Sequence, residues 1–153
     1  MRTLGNPADT SSLLHRLHNL RPDSRRRWGR MRVHQMICHL ADSTRFALGQ
    51  LTVSAHTPWW ARTILKWVAL AIPVPWPPGI PTIPELDQVR GAGTKPTDFA
   101  RDVTELQALV ERMAAPDADI EGRVHPLFGR LSRAEWLRWG YLHVDHHLRQ
   151  FGA

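Results

Sequence analysis

The segment from Ser132 to Phe151 constrains the fold most, because its residue pattern fits one long helix and no strand. Ser132 and Glu135 have the spacing of a capping box, in which Ser132 is the N-cap and Glu135 reaches back to its backbone. Leu131 and Trp136 are placed for the apolar contact that accompanies such a cap. Large apolar residues then recur at helical spacing down to Phe151, which predicts a helix buried across a broad face.

Two histidines lie on one face of this predicted helix. His143 and His147 are four residues apart, so their imidazoles point the same way and can share one divalent ion. Gln150 follows one turn later on that face, whereas His146 lies about 100° round the axis from His147. The spacing alone equally allows two hydrogen-bonded core histidines.

A third ligand must come from another helix, because a catalytic zinc-type centre uses three protein ligands and leaves one position open. His39 is the candidate, since it lies among apolar neighbours where an unpaired imidazole would be costly. Asp42, one turn from His39, is placed to orient a ligand imidazole, or is an exposed helix acid. Gln35 and Gln150 are the other candidates for orienting ligands or handling protons.

The rest of the chain predicts further helices and long connections. After a loose tail over residues 1–9, the predicted helices are Asp9–Leu20 (capped by Asp9, Thr10 or Ser11), Val33–Leu51, Trp59–Ile72 and Thr97 or Asp98 to Ala115. Seven prolines between Pro73 and Pro96 exclude a helix or central strand there. The Trp, Ile and Leu residues of this stretch favour an ordered flap. Pro116–Gly129 reads as a loop.

These elements predict a single all-α domain over residues 1–153. Four principal helices would form a four-helix bundle, with the proline-rich crossover and the accessory helix Trp59–Ile72 between the second and third. Metal sites in such bundles are built from inward side chains on facing helices.

Composition narrows the setting. The single cysteine, Cys38, excludes an intrachain disulfide and fits a reducing, cytoplasmic location. The N-terminus lacks the apolar run of a signal peptide, and Trp59–Pro78 is too interrupted for a membrane span. The net charge of +6 comes from arginine, densest over Arg21–Arg32. Because Pro22 and Gly29 break that run, a solvated loop is favoured over a nucleic-acid surface.

Several spaced motifs resemble a known family. Trp28–Met31 with His34–Ser43, and His143–Phe151, resemble the second and closing helices of the DinB/YfiT-like superfamily. The fuller pattern, which adds Gly79–Thr82 and His125–Gly129, is similar to the DUF1569 branch. The resemblance implies a four-helix bundle and a three-histidine site for zinc or nickel, with its ligands carried over to His39, His143 and His147. It also implies a frequent homodimer.

Characterised DinB-like proteins are thiol-dependent transferases or isomerases that use mycothiol, bacillithiol or glutathione. The leading hypothesis is therefore a metal-dependent enzyme that activates a thiol or water towards a small-molecule substrate. No glutamate lies inside the histidine motif, so peptide hydrolysis of the HExxH type is not favoured. One alternative is a non-catalytic metal-binding or stress-response protein, with His146 or Asp42 as a fourth ligand. Another is a basic helical module that binds nucleic acid through Arg21–Arg32.

Overall fold

The computed structural model describes residues 1–54, 59–72, 74–79 and 82–153. Within these ranges the chain forms five α-helices, one 3₁₀ turn and one two-stranded sheet. The helices are α1 (Pro7–His18), α2 (Val33–Ala47), α3 (Trp59–Ala71), α4 (Phe99–Ala114) and α5 (Arg133–Gln150); the turn is Pro84–Leu86, and the strands are β1 (Val124–His125) and β2 (Gly129–Arg130). The prediction of a helix-dominated chain is confirmed.

Helix α5 lies at the centre of the packing and contacts α1, α2, α3 and α4. The predicted capping box begins it: the Ser132 hydroxyl accepts from the Glu135 backbone, and Glu135 Oε2 accepts from the Ser132 N–H at 2.8 Å. Trp136 and Leu148 are fully buried against the other helices. Burial of these large side chains near the two ends of the helix fixes the direction of its histidine face.

The first residues are packed, so the prediction of a loose tail over residues 1–9 is wrong. Leu4 is buried, and its N–H donates to the carbonyl of Leu137 in α5 at 3.1 Å. Helix α1 starts at Pro7 with Asn6 as its N-cap, whose side chain accepts from the Ala8 N–H at 2.9 Å. The Asn-Pro start, which suits a cap followed by a first helical proline, precedes the expected caps Asp9, Thr10 and Ser11.

Helix α2 ends at Ala47, earlier than the predicted end at Leu51. Gly49 adopts φ +75° just beyond the helix, and its N–H donates to the Phe46 carbonyl at 2.9 Å. A glycine in this left-handed conformation is a common helix stop, because it lacks the Cβ that disfavours the conformation. The apolar stripe of the sequence continues to Leu51, so the prediction from periodicity alone extended the helix past its end.

A short hairpin interrupts the predicted loop Pro116–Gly129. Val124 pairs with Arg130 and His125 with Gly129 in an antiparallel register. Two-residue strands are too short to show a period-two pattern, so the sequence did not predict them. The hairpin places the buried His125 ring 4.5 Å from Phe128 and 5.5 Å from Trp136, between centroids.

The described part of the proline-rich segment folds back onto α2 as the predicted ordered flap. Asp42 of α2 accepts three hydrogen bonds of 2.8 Å from it: from Gln88 Nε2, from the Thr94 N–H and from the Thr94 hydroxyl. Residues 73, 80 and 81 of the predicted flap lie outside the described residues. One buried carboxylate therefore anchors the flap beside His39.

Helix α3 packs on α5 through Leu70 and through a 2.9 Å ion pair between Lys66 and Glu135. Its other side leaves Trp67 64% exposed. In the part of the chain that the structure describes, none of the helices combines the length and apolarity that crossing a bilayer requires.

Candidate metal centre

Three imidazoles from two distant segments meet between α2 and α5. One ring nitrogen each of His39, His143 and His147 lies within 4.8 Å of the others, and the ring centroids are 4.9 to 5.1 Å apart. The Nε2 atoms of His39 and His143 are 3.2 Å apart, although the residues are separated by 104 positions. Tetrahedral zinc with Zn–N bonds of roughly 2.0–2.1 Å requires ligand nitrogens roughly 3.3 Å apart, so the observed spacing fits.

The flap fixes the tautomer of His39. Its Nδ1 lies 2.8 Å from the backbone carbonyl of Leu86, in the 3₁₀ turn of the flap. A carbonyl oxygen can only accept, so Nδ1 carries the proton and Nε2 keeps its lone pair. A carbonyl partner on the remote ring nitrogen is the usual support of a metal-binding histidine.

Gln150 holds His147 in the same way. His147 Nδ1 lies 2.8 Å from Gln150 Oε1, while Gln150 Nε2 donates to the Trp28 carbonyl at 2.9 Å. The Trp28 carbonyl requires the amide nitrogen on its side, so the amide oxygen faces His147. His147 therefore donates from Nδ1 and, like His39, directs an Nε2 lone pair inward.

Gly29 allows this contact between the loop and α5. Its φ is +79°, and a Cβ built at this position would lie 2.5 Å from Gln150 Nε2. A side chain there would strain the backbone and press on the amide that supports His147. Gly29 thus lets the Trp28 carbonyl reach Gln150, which in turn holds His147.

Burial keeps the three imidazoles neutral. It lowers the pKa of His39, and it lowers the pKa of both His143 and His147 well below the usual value. The neighbouring imidazoles lower the pKa of His143 and His147 further, because each disfavours a second positive charge nearby. Metal ligands must be unprotonated, so these nitrogens are available at neutral pH.

The family comparison matches this chain over nearly its full length. The model described as "Protein of unknown function (DUF1569)" matches residues 7–153. The chain belongs to the DUF1569 family. No curated protein and no solved structure matches this DUF1569 protein.

Tryptophans line the side on which His143 is only partly buried. The Trp139 ring centroid lies 4.9 Å from that of His143, and the Trp76 centroid lies 6.2 Å away. His39 and His147 are buried, so His143 is the most accessible of the three imidazoles.

The structure places the other predicted residues outside the imidazole cluster. Asp42 anchors the flap and does not orient His39 directly; the Leu86 carbonyl does. Gln35 Nε2 donates to the Gln88 carbonyl at 3.3 Å, again supporting the flap. His146 Nδ1 lies 3.3 Å from the Trp76 carbonyl. Among the described residues, neither Asp42 nor His146 joins the cluster of three imidazole nitrogens.

Sequence reasoning missed two groups of this DUF1569 centre. The Leu86 carbonyl is a backbone atom and leaves no sign in residue type. Gln88 is almost fully buried and donates to Asp42, yet it lies in a proline-rich stretch with no periodicity to mark it. The Trp, Ile and Leu residues of the stretch predicted an ordered flap, but no residue type marked Gln88 within it.

Proposed function

We propose that this DUF1569 protein is a metal-dependent enzyme whose His39, His143 and His147 hold one zinc or nickel ion. The supporting observation is the convergence of three neutral imidazoles, two of which have Nδ1 engaged by an acceptor and Nε2 directed inward. The substrate class is a small molecule, and the chemistry is transfer to or from a low-molecular-weight thiol, or hydrolysis.

A bound divalent ion would lower the pKa of a thiol or water towards neutrality and so supply a nucleophile. The protein's own contribution is orientation: Leu86 and Gln150 hold the imidazoles of His39 and His147, and Trp139 and Trp76 pack beside His143. With Asp42 and His146 engaged elsewhere among the described residues, three ligands leave a position open for substrate. That favours the enzyme over a closed, non-catalytic metal site.

The wider assignment belongs to the same proposal. We infer that α1, α2, α4 and α5 form the four-helix bundle of the DinB/YfiT-like superfamily; each of them contacts at least two of the others. A homodimer follows from the same resemblance, and the single cysteine supports a cytoplasmic location. The arginine loop Arg21–Arg32 supports the centre through Trp28, which gives it a role other than nucleic-acid binding.

Elemental analysis tests the metal site. The protein is purified without a histidine tag, beside His143→Ala and the control His15→Ala, whose histidine lies on the exposed side of α1. We expect one equivalent of zinc or nickel at the centre in the wild type and in His15→Ala, and its loss in His143→Ala. Equal metal content in all three proteins would contradict the proposal.

Activity assays test the reaction class. S-transfer from mycothiol, bacillithiol and glutathione to electrophilic small molecules is measured with metal-loaded and chelator-stripped protein. We expect turnover with one of these thiols that is lost on stripping and restored by zinc or nickel. Activity that survives stripping would rule out the metal-dependent mechanism.

A further inference from the structure

A second group of metal-binding side chains lies outside the histidine centre, between α2 and α4. His34 and Cys38 are four residues apart on α2, and Asp102 is in the first turn of α4. One ligand atom of each lies within 4.8 Å of the others. His34 Nε2 is 2.7 Å from Asp102 Oδ2, and the Cys38 thiol donates to the same oxygen at 3.6 Å.

The spacing of these atoms is close to that of a tetrahedral zinc site. With Zn–S of roughly 2.3 Å and Zn–O of roughly 2.0 Å, sulfur and oxygen ligands are roughly 3.5 Å apart, and nitrogen and oxygen roughly 3.3 Å. The 3.6 Å between Cys38 Sγ and Asp102 Oδ2 matches this value. The 2.7 Å between His34 and Asp102 has to widen by less than 1 Å, a small rotation for a surface imidazole.

Hydrogen bonds orient one ligand of this cluster, and two of its side chains are accessible to solvent. The Asp102 carboxylate is oriented by the Thr97 N–H at 3.3 Å and the Thr97 hydroxyl at 3.4 Å. The side chains of His34 and Asp102 are 22% and 13% exposed, so an ion can enter from solvent. Phe99 lies edge-on to His34, with centroids 5.4 Å apart. Cys38 lies beneath them and is buried.

We propose that His34, Cys38 and Asp102 form a second site, for a thiophilic divalent cation such as Zn²⁺. Thiolate, imidazole and carboxylate together are a zinc ligand set, and calcium and magnesium, which prefer oxygen, are excluded by the sulfur. On binding, the Cys38 S–H bond breaks, its electron pair forms the metal–sulfur bond, and the proton passes to solvent. The ion replaces the present hydrogen bonds as the link between α2 and α4.

Cobalt(II) distinguishes the two centres, because only a thiolate ligand gives intense near-ultraviolet sulfur-to-cobalt charge transfer and the chain has a single cysteine. Untagged, metal-stripped protein is titrated with Co²⁺ and the charge-transfer absorption is recorded. We expect the band to saturate in both the wild type and His143→Ala, with one equivalent of cobalt in His143→Ala, which lacks the first centre, and up to two equivalents in the wild type, whose first centre also takes up cobalt. Cys38→Ser should abolish the band, and excess Zn²⁺ should displace it.

Three outcomes would overturn the second site. The first is no charge-transfer band in the wild type at millimolar Co²⁺. The second is a band with unchanged cobalt affinity in both His34→Ala and Asp102→Asn, which would reveal a single-cysteine adduct. The third is loss of the band in the control His15→Ala. Circular dichroism confirms the fold of each variant; should Asp102→Asn unfold, His34→Gln and His34→Ala decide the question alone, with at least a tenfold loss of cobalt affinity expected.

Discussion

The side chain of Gln150 joins His147 to the backbone of Trp28, accepting from one at 2.8 Å and donating to the other at 2.9 Å. Gln150→Ala leaves His147 Nδ1 without this partner, so the ring loses its fixed tautomer and orientation. We expect metal affinity to fall by roughly 10- to 100-fold, the usual effect of removing such a support. Competition with a chromophoric chelator measures it. Gln107→Ala, which removes a glutamine bonded to Glu111 on α4, is the control and should bind metal as the wild type does.

Gly29 tests the same support from the opposite side. In Gly29→Ala the new methyl group meets Gln150 Nε2 at 2.5 Å and the residue keeps a φ of +79°. We expect roughly 1 kcal/mol of lost stability from the left-handed conformation, and a weaker metal site as well. Gly79→Ala is the matched control, because Gly79 has a φ of +89° with nothing within 4 Å of its would-be Cβ. Equal metal affinity in the two variants would show that Gly29 does not support the centre.

Asp42→Asn tests the anchor of the flap. Gln88, Thr94 and Arg45 all donate to this carboxylate, so an amide NH₂ in its place faces donors and leaves buried groups unpaired. We expect about 3 kcal/mol of lost unfolding free energy in urea, as for a broken buried ion pair. Asp119→Asn removes an 88% exposed partner of Arg123 and should change stability by less than about 0.5 kcal/mol. Similar losses in the two variants would contradict the assignment.

The buried His125 should make the free energy of unfolding depend on pH in the acid range. Burial lowers its pKa to about 3 in the folded protein, against roughly 6.5 when unfolded. The neutral His125 imidazole makes its full contribution to the free energy of unfolding above the unfolded pKa. That contribution is lost as the pH falls from the unfolded pKa towards the folded pKa. Between pH 7 and 5 the free energy of unfolding falls by about 2 kcal/mol through this residue. His125→Asn keeps an acceptor for the Leu127 N–H without titrating. In chelator-stripped protein, its unfolding free energy should fall less steeply between pH 7 and 5 than that of the wild type; parallel curves would contradict the prediction.

The long helices could be predicted because their order is local. The capping box at Ser132 and Glu135 lies within four residues of sequence, and the apolar spacing of α5 extends over five turns. The same periodicity placed His143 and His147 on one face before any tertiary information. His39 needed one further argument, the cost of an isolated buried imidazole, which is also a property of its immediate neighbours.

Tertiary contacts made by backbone atoms could not be predicted in this way. The Leu86 carbonyl reaches His39 across 47 positions, and the Asp42 side chain turns to the flap, since three donors there outcompete the imidazole. The start of α1 was missed for another reason: the Asn6 cap precedes the apolar residues that reveal the helix. The end of α2 depended on the conformation of Gly49, which apolar periodicity does not report.

The 3.2 Å approach of His39 to His143 brings together points 104 positions apart. A cation held at that junction would act as a reversible crosslink, shrinking the number of shapes open to the denatured chain much as a covalent bridge does. Loss of the ion would then destabilise the N-terminal and C-terminal halves at the same time. Proteases would degrade the metal-free protein before the metal-bound one. Metal supply would set how long each copy survives.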